Sequence, residues 1–456
     1  MKHRHLQAWL SGSLACFVLL AGGVAHAQPP AATELAVTTT ADAGDGSLRW
    51  ALEQAQGADG PWRVHFGDNE GLFSEPQTIE LESPLPEITG QVAIDGFIAQ
   101  RLWTAYGATI SAGGEHRILE VAPGGVLHLL GVTLTGGSAI RGGAVLNRGR
   151  LIVEGMSMLE NRAEEEGGAI ANVGGEVFVI NSTIADGEAK RGGAVANMDG
   201  ALTLTHATLY RNNAATGPAV YSSGTLALTN SILWGTEGLA GAQCVNIGGL
   251  AQSIASLFVD DGEGCGSPLL QADPKIGRFG YYNGPTPVFV IGGDSPALNL
   301  ADGDAAVDHR GERLKWDQRG NGDPRFAGGY ADIGAFERQS QLPKEYVVDT
   351  AVDNGLRGCT ATGTANCPLR AAVELALAGR DPAPIRLSPR VFSEPATLVL
   401  DERPADIDRR PLEFDGAGAA PVTIHVPGQD PGWTAKNGIT LVFDGEGRVR
   451  VARGEP

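Results

Sequence analysis

The chain has 456 residues, with 34 basic and 53 acidic side chains and a formal net charge of −19 at pH 7. Such an acidic surface repels nucleic acid and anionic lipid, and it suits solubility or the binding of cations. The length leaves room for more than one domain, although a solenoid can use it all in one.

Lys2 and Arg4 precede an apolar run from Leu14 to Val24, and Ala25-His26-Ala27 supplies small residues ahead of Gln28. That pattern predicts a secretory signal peptide over 1–27, with Cys16 discarded inside it, and an exported protein at the cell surface or beyond. No later stretch approaches the roughly 20 apolar residues of a membrane-spanning helix, so none is expected in the mature chain. Residues 28–120 read as a leader of short strands broken by Gly and Pro, with one helix. Val37-Thr-Thr-Thr is a predicted strand and Ala41-Asp-Ala-Gly-Asp-Gly a turn. Ser47 then caps a helix with Leu48, Ala51, Leu52 and Ala55 on one face.

Over 121–337 a phrase recurs. Gly142-Gly143-Ala-Val returns as Gly167-Gly168-Ala-Ile, Gly192-Gly193-Ala-Val and Gly217-Pro-Ala-Val, each copy 25 residues after the last. A fixed period of that size is the mark of a solenoid. Each phrase is followed by two apolar strands, Leu151-Ile-Val and Met156-Ser-Met-Leu in the first copy. Three short strands per period are therefore predicted, stacked in parallel and in register about 4.8 Å apart. Val145, Ile170, Val195 and Val220 would form an interior ladder, and the glycine pairs a tight corner. Asn147, Asn172 and Asn197 hold one phase, with Ser222 in the fourth copy. They read as an asparagine stack at a turn rather than a sugar-binding row, and Asn161, Asp186 and Asn212 read likewise.

Catalysis on such a scaffold would need carboxylates converging on one face. Glu154, Glu160, Glu176 and Asp199 fall at different phases of the period, and Glu164-Glu165-Glu166 reads as a solvated loop. His128 and His206 sit in predicted strands, and no nucleophile, histidine and acid stand in order, so no catalytic residue is assigned. The cysteines after the signal form two local pairs, Cys244 with Cys265 and Cys359 with Cys367, the spacing of two disulfides in an exported protein. Between 294 and 332, Asp294, Asp302, Asp304, Asp308, Asp317, Asp323 and Asp332 stand among Gly, Pro and four arginines. Asp302, Asp304 and Asp308 offer hard oxygen ligands at loop spacing, which suits Ca²⁺. An EF-hand loop, however, would need an acceptor at Ala306 and a glutamate at Arg313. The expectation is a charge-paired cap over the solenoid's open end, with Ca²⁺ binding as the alternative.

Residues 338–346 read as a polar linker. Beyond it, 347–456 restarts like the leader: Val347-Val-Asp-Thr leads to Pro368-Leu-Arg-Ala-Ala-Val, and Phe392-Ser-Glu-Pro-Ala-Thr-Leu matches Phe73-Ser-Glu-Pro-Gln-Thr-Ile. This predicts a small second domain, either packed on the first helix or opening a second solenoid.

Thr38-Thr-Thr-Ala-Asp with Gly46-Ser-Leu-Arg, and more closely Cys367-Pro-Leu-Arg-Ala-Ala, resembles the CSLREA-type leader of exported bacterial β-helix proteins. The 25-residue phrase resembles the repeats of polymorphic outer-membrane proteins. Asp294-Ser-Pro-Ala-Leu-Asn, Asp317-Gln-Arg-Gly and Asp332-Ile-Gly-Ala-Phe-Glu are similar to the closing segment of the choice-of-anchor Q family. These resemblances imply an all-β fold, a right-handed parallel β-helix of the pectin-lyase-like kind, capped, with the small second C-terminal domain. They also imply cell-surface export, and they carry no shared catalytic residues. The expected role is structural or adhesive, binding a polysaccharide, a surface or a protein partner without a cofactor. The alternative is a polysaccharide lyase or glycoside hydrolase on the same scaffold. Neither barrel strands nor a cell-wall sorting motif is expected in the chain.

Overall fold

Strands of two to six residues between glycine corners can bury their apolar side chains only against the next turn of the same chain. A computed structural model shows the result, a parallel β-helix. It describes residues 32–453 except 57–59, 68–71, 75, 98–106, 236–241, 259–261, 267, 270, 294, 321, 328–330, 339–344, 352–366, 379–383, 401–410, 431 and 444–449. The described residues belong to one compact unit, Ala32–Pro456. The predicted signal peptide, most of the linker, Cys16, Asp294 and Cys359 lie outside them.

The first stack has four parallel sheets, of nine, eight, six and four strands, each rung adding one strand to a sheet. The nine-stranded face runs from Thr33–Val37 to Gly249–Ile254, and the eight-stranded face from Thr78–Glu80 to Leu257–Phe258. The six-stranded face spans Leu119–Val121 to Cys244–Asn246. The four-stranded face, Ser138–Arg141 to Asn213–Thr216, corrects the expectation of three strands per period. Its strands, such as Arg162–Glu166, are polar and pair through their backbones, so no apolar pattern marks them.

Inside, Val145, Ile170, Val195, Val220 and Cys244 stand in register as one ladder, each at most 1% exposed. Cys244 is bonded to Cys265, which ties the chain beyond the last rungs to the end of that ladder. Helix α1, Leu48–Gln54, starts where Ser47 Oγ accepts the Trp50 N–H at 3.1 Å, and it buries Leu48, Ala51 and Leu52. It links and packs against the first two strands of the nine-stranded sheet. The strand before it covers Thr33–Val37, so it ends where the sequence pattern would begin it.

The C-terminal part repeats this plan. Tyr346–Val348, helix α2 (Leu369–Ala378) and Ile385–Leu387 form strand, helix and strand, and the two strands pair in parallel. Two further four-stranded sheets grow from this start, and an antiparallel strand, Arg450–Arg453, closes one of them. This is a second short stack of rungs. Its core residues Tyr346, Val373 and Phe414 are continuous with Tyr282, Val288, Ile333 and Phe336 of the preceding segment, not with α1.

That preceding segment, 276–337, differs from the predicted end cap. It runs as a strap along the flank of the first stack, touching rungs from Gly107 to Asn230. It docks there because the corners and hydroxyl rows of several rungs offer it hydrogen-bonding partners.

Candidate functional site

The corner phrase is accounted for by backbone geometry. Gly142, Gly167 and Gly192 adopt φ of +60°, +66° and +64°, a left-handed conformation that glycine alone takes without strain. Gly143, Gly168 and Gly193 serve a different purpose. A Cβ there would collide with backbone carbonyls of the neighbouring rung, so they permit close stacking. Asn147, Asn172 and Asn197 are fully buried. Asn147 Nδ2 donates to Asn172 Oδ1 at 2.7 Å, Asn172 to Asn197 at 2.8 Å, and Asn197 to Ser222 Oγ at 3.0 Å. Asn161 and Asn212 are also buried, each donating to a main-chain carbonyl one rung back. Asp186 is shifted by one position, standing with Glu160 and Arg211 at a left-handed turn.

The corner between the nine- and eight-stranded faces carries a contact role that the sequence did not reveal. Gly131, Gly155, Asn181, His206 and Asn230 occupy it on successive rungs, all with positive φ. The three with side chains hold the strap. Asn181 Nδ2 donates to the Trp316 carbonyl at 2.8 Å, and its Oδ1 accepts from Arg325 at 3.2 Å. Asn230 exchanges two hydrogen bonds with the backbone of Asp302, at 2.8 and 2.9 Å. This fixes its amide, so Asn230 Nδ2 donates to His206 Nε2 at 3.0 Å. His206 must then carry its proton on Nδ1, facing the Gly334 carbonyl at 3.3 Å. Burial, and next the Arg325 charge, push this imidazole well below its ordinary pKa.

Further along, buried Gln318 is the strap's other anchor. Its Nε2 donates to Ser157 Oγ and Thr286 Oγ1 at 3.0 and 3.1 Å, while its Oε1 accepts from Thr183 at 2.6 Å. Around it lie buried ion pairs: Arg319 with Asp317 and Asp323, at 2.7 and 2.8 Å, and Arg325 with Glu337 at 3.0 Å. Burial raises Asp323 to about 7 and Glu337 to about 8, despite the arginine that each meets. The low dielectric therefore outweighs a single guanidinium for these two acids.

Asp302, Asp304 and Asp308 do not come together. Asp302 Oδ1 accepts the N–H groups of Asp304 and Ala305. Asp308 binds the Arg310 guanidinium at 2.9 Å and the N–H groups of Arg310 and Glu312. Among the described residues no group of three or more His, Cys, Asp or Glu is arranged to hold a metal ion.

Two outward clusters remain. On the nine-stranded face His128 Nε2 meets Glu154 Oε2 of the next rung at 3.2 Å, and His309 of the strap sets its ring 5.4 Å from that of His128. His309 is lowered from its ordinary pKa, first by burial and then by His128. Leu314 packs beside it on Ile152 and Ile180. On the four-stranded face, Glu166 belongs to a strand and is 1% exposed, in contrast to the solvated loop read from its sequence. Its carboxylate sits between Arg141 and Arg191 of the two adjacent rungs. Arg191 also lies over the Tyr221 ring at 5.1 Å. Arg162, 64% exposed, pairs with Glu188 beside them. No spacing rule flagged either cluster, because each joins residues a full rung or more apart.

No model of a known protein family matches the chain, and no curated protein matches it.

Proposed function

We propose that this is an exported β-helix protein, working outside the cell or at its surface, that binds an extended polymer or a surface partner along its four-stranded face. One observation carries the reading. The strap occupies the corner and hydroxyl rows of the eight-stranded face and part of the nine-stranded one, whereas on the four-stranded face Arg162 and Glu164 of one rung and Lys190 of the next stay exposed. Rungs about 4.8 Å apart give that face a regular row of charged and polar groups, suited to a repeating ligand. The test is retention of the purified protein on immobilised acidic and neutral polysaccharides. Binding that weakens in Arg162→Ala and Lys190→Ala supports the reading, and equal behaviour of all variants on every polymer refutes it.

A polysaccharide lyase or glycoside hydrolase is the second reading, favoured by the His128, Glu154 and His309 cluster, which offers an imidazole and a carboxylate in contact. New reducing or unsaturated ends released from those polymers, and lost in His128→Ala, would establish it.

A further inference from the structure

We propose that the strap contains a self-cleaving peptide bond, Asp323–Pro324, cut by the Asp323 carboxyl itself. The bond lies where the strap folds back in a short antiparallel pairing. Asp317 N–H donates to the Asp323 carbonyl at 3.0 Å, Arg325 N–H donates to the Lys315 carbonyl at 2.9 Å, and Trp316 bridges Pro324. The scissile carbonyl thus already faces a fixed donor placed to stabilise negative charge on its oxygen. Arg319 Nη1 holds Asp323 Oδ1 at 2.8 Å, and the attacking atom in this proposal is the other carboxyl oxygen, Oδ2, from which closure on the residue's own carbonyl carbon makes a five-membered ring. The leaving group is the proline nitrogen, a tertiary amide with no N–H of its own. Burial beside Asp317 keeps the Asp323 carboxyl partly protonated near neutral pH, which supplies the proton that the departing nitrogen needs.

The step balances without another reagent. Asp323 Oδ2 bonds to the main-chain carbonyl carbon of Asp323, and the bond to the Pro324 nitrogen breaks. That nitrogen takes the carboxyl proton, and a cyclic anhydride remains. Water then opens the anhydride to a C-terminal Asp323, so the two pieces together gain the mass of one water. Asp323 is buried but keeps 8% of its surface, and 11% of its side chain, open to the solvent that the hydrolysis needs. The pieces stay docked, one through Gln318 and the other through Arg325 on Asn181.

The chain holds its own comparison. Asp273–Pro274 has the same two residues, but Asp273 is about half exposed and bound by Lys275 at 2.8 Å, which holds its carboxyl below the ordinary range. The experiment incubates the purified full-length protein in mildly acidic, neutral and alkaline buffers, followed by denaturing electrophoresis and mass spectrometry. The expected result is a fragment beginning at Pro324, with Asp273–Pro274 intact and the rate falling about tenfold per pH unit above the titration of Asp323. Asp323→Glu keeps a carboxyl for Arg319 but enlarges the ring that must close, and should lose the fragment. Pro324→Ala leaves the carboxyl in place and removes the good leaving group, so it decides the matter if Asp323→Glu does not fold. An uncut chain in every buffer overturns the proposal. So does cutting at Asp273–Pro274 at the same rate, or a fragment that persists in both variants.

Discussion

Asn172 shows how much of a rung can rest on one side chain. Its amide accepts from Asn147 and donates to Asn197, both bonds buried, and it also donates to the carbonyls of Gly175 and Ala201, which are partly buried. Asn172→Ala strips partners from buried groups on two rungs at once and should cost about 2–4 kcal/mol in denaturant unfolding. Ser223→Ala, which removes only the exposed bonds to Asp199, should stay within about 0.5 kcal/mol. His206 makes a different kind of contribution, because its imidazole must be neutral to accept from Asn230. A pKa depressed in the folded state means that the unfolded chain binds the extra proton more readily. Stability from this residue is therefore present above its ordinary pKa of 6.5 and lost as pH falls below it. His206→Asn keeps a residue tolerant of positive φ but removes that titration. The advantage of the native protein over His206→Asn in melting temperature should shrink steadily below about pH 6.5, while an advantage that does not change with pH would exclude the neutral tautomer.

As an element, the strap is held by a few polar keys as well as by apolar contact, such as the Phe289 ring 4.9 Å from that of Tyr210. Gln318→Ala leaves Ser157, Thr183 and Thr286 without their shared partner in a buried site. It should cost about 2–4 kcal/mol and expose the strap to limited proteolysis before the rungs open. An unchanged digestion pattern would show that Gln318 is dispensable and that the Asn181 and Asn230 anchors and the apolar contacts suffice to hold the strap. The rungs could be read from the sequence and the strap could not, for one physical reason. A glycine corner, an interior valine and a stacked asparagine answer demands made by the local backbone, so they return with every period. Asn181, His206 and Gln318 meet partners 135, 128 and 161 positions away. Asn181 looks like any corner asparagine, and His206 like a strand residue, until the strap is laid across them. The four-stranded face was hidden for a related reason, since its pairing is carried by main-chain atoms under charged side chains. Glu166 therefore passes for a loop residue although two arginines enclose it.

At the scale of the whole molecule, a solenoid whose rungs touch only their neighbours should tolerate the loss of one complete period. Removing residues from Asn172 to Ala196 joins Ala171 to Asn197 and preserves the register in which Ala171 faces Ala196 and Asn172 faces Asn197. The interior ladder and the asparagine stack close up with one member fewer. The strap has no such freedom, because its anchors are spaced to match particular rungs: Gln318 needs Ser157 and Thr183 together, Asn181 takes Trp316 and Arg325, and Asn230 takes Asp302. With the period deleted, Asn181 and Thr183 disappear and the later anchors move one rung, about 4.8 Å, toward the start of the chain. The shortened protein should keep its strand signal in circular dichroism and its Cys244–Cys265 disulfide, while the strap becomes the first site of proteolysis. A strap that stays protected would mean that it reads the flank by general shape and can slip along it. Collapse of the strand signal would mean that the strap is required for the rungs to stack at all, making the first stack and its strap one cooperative unit.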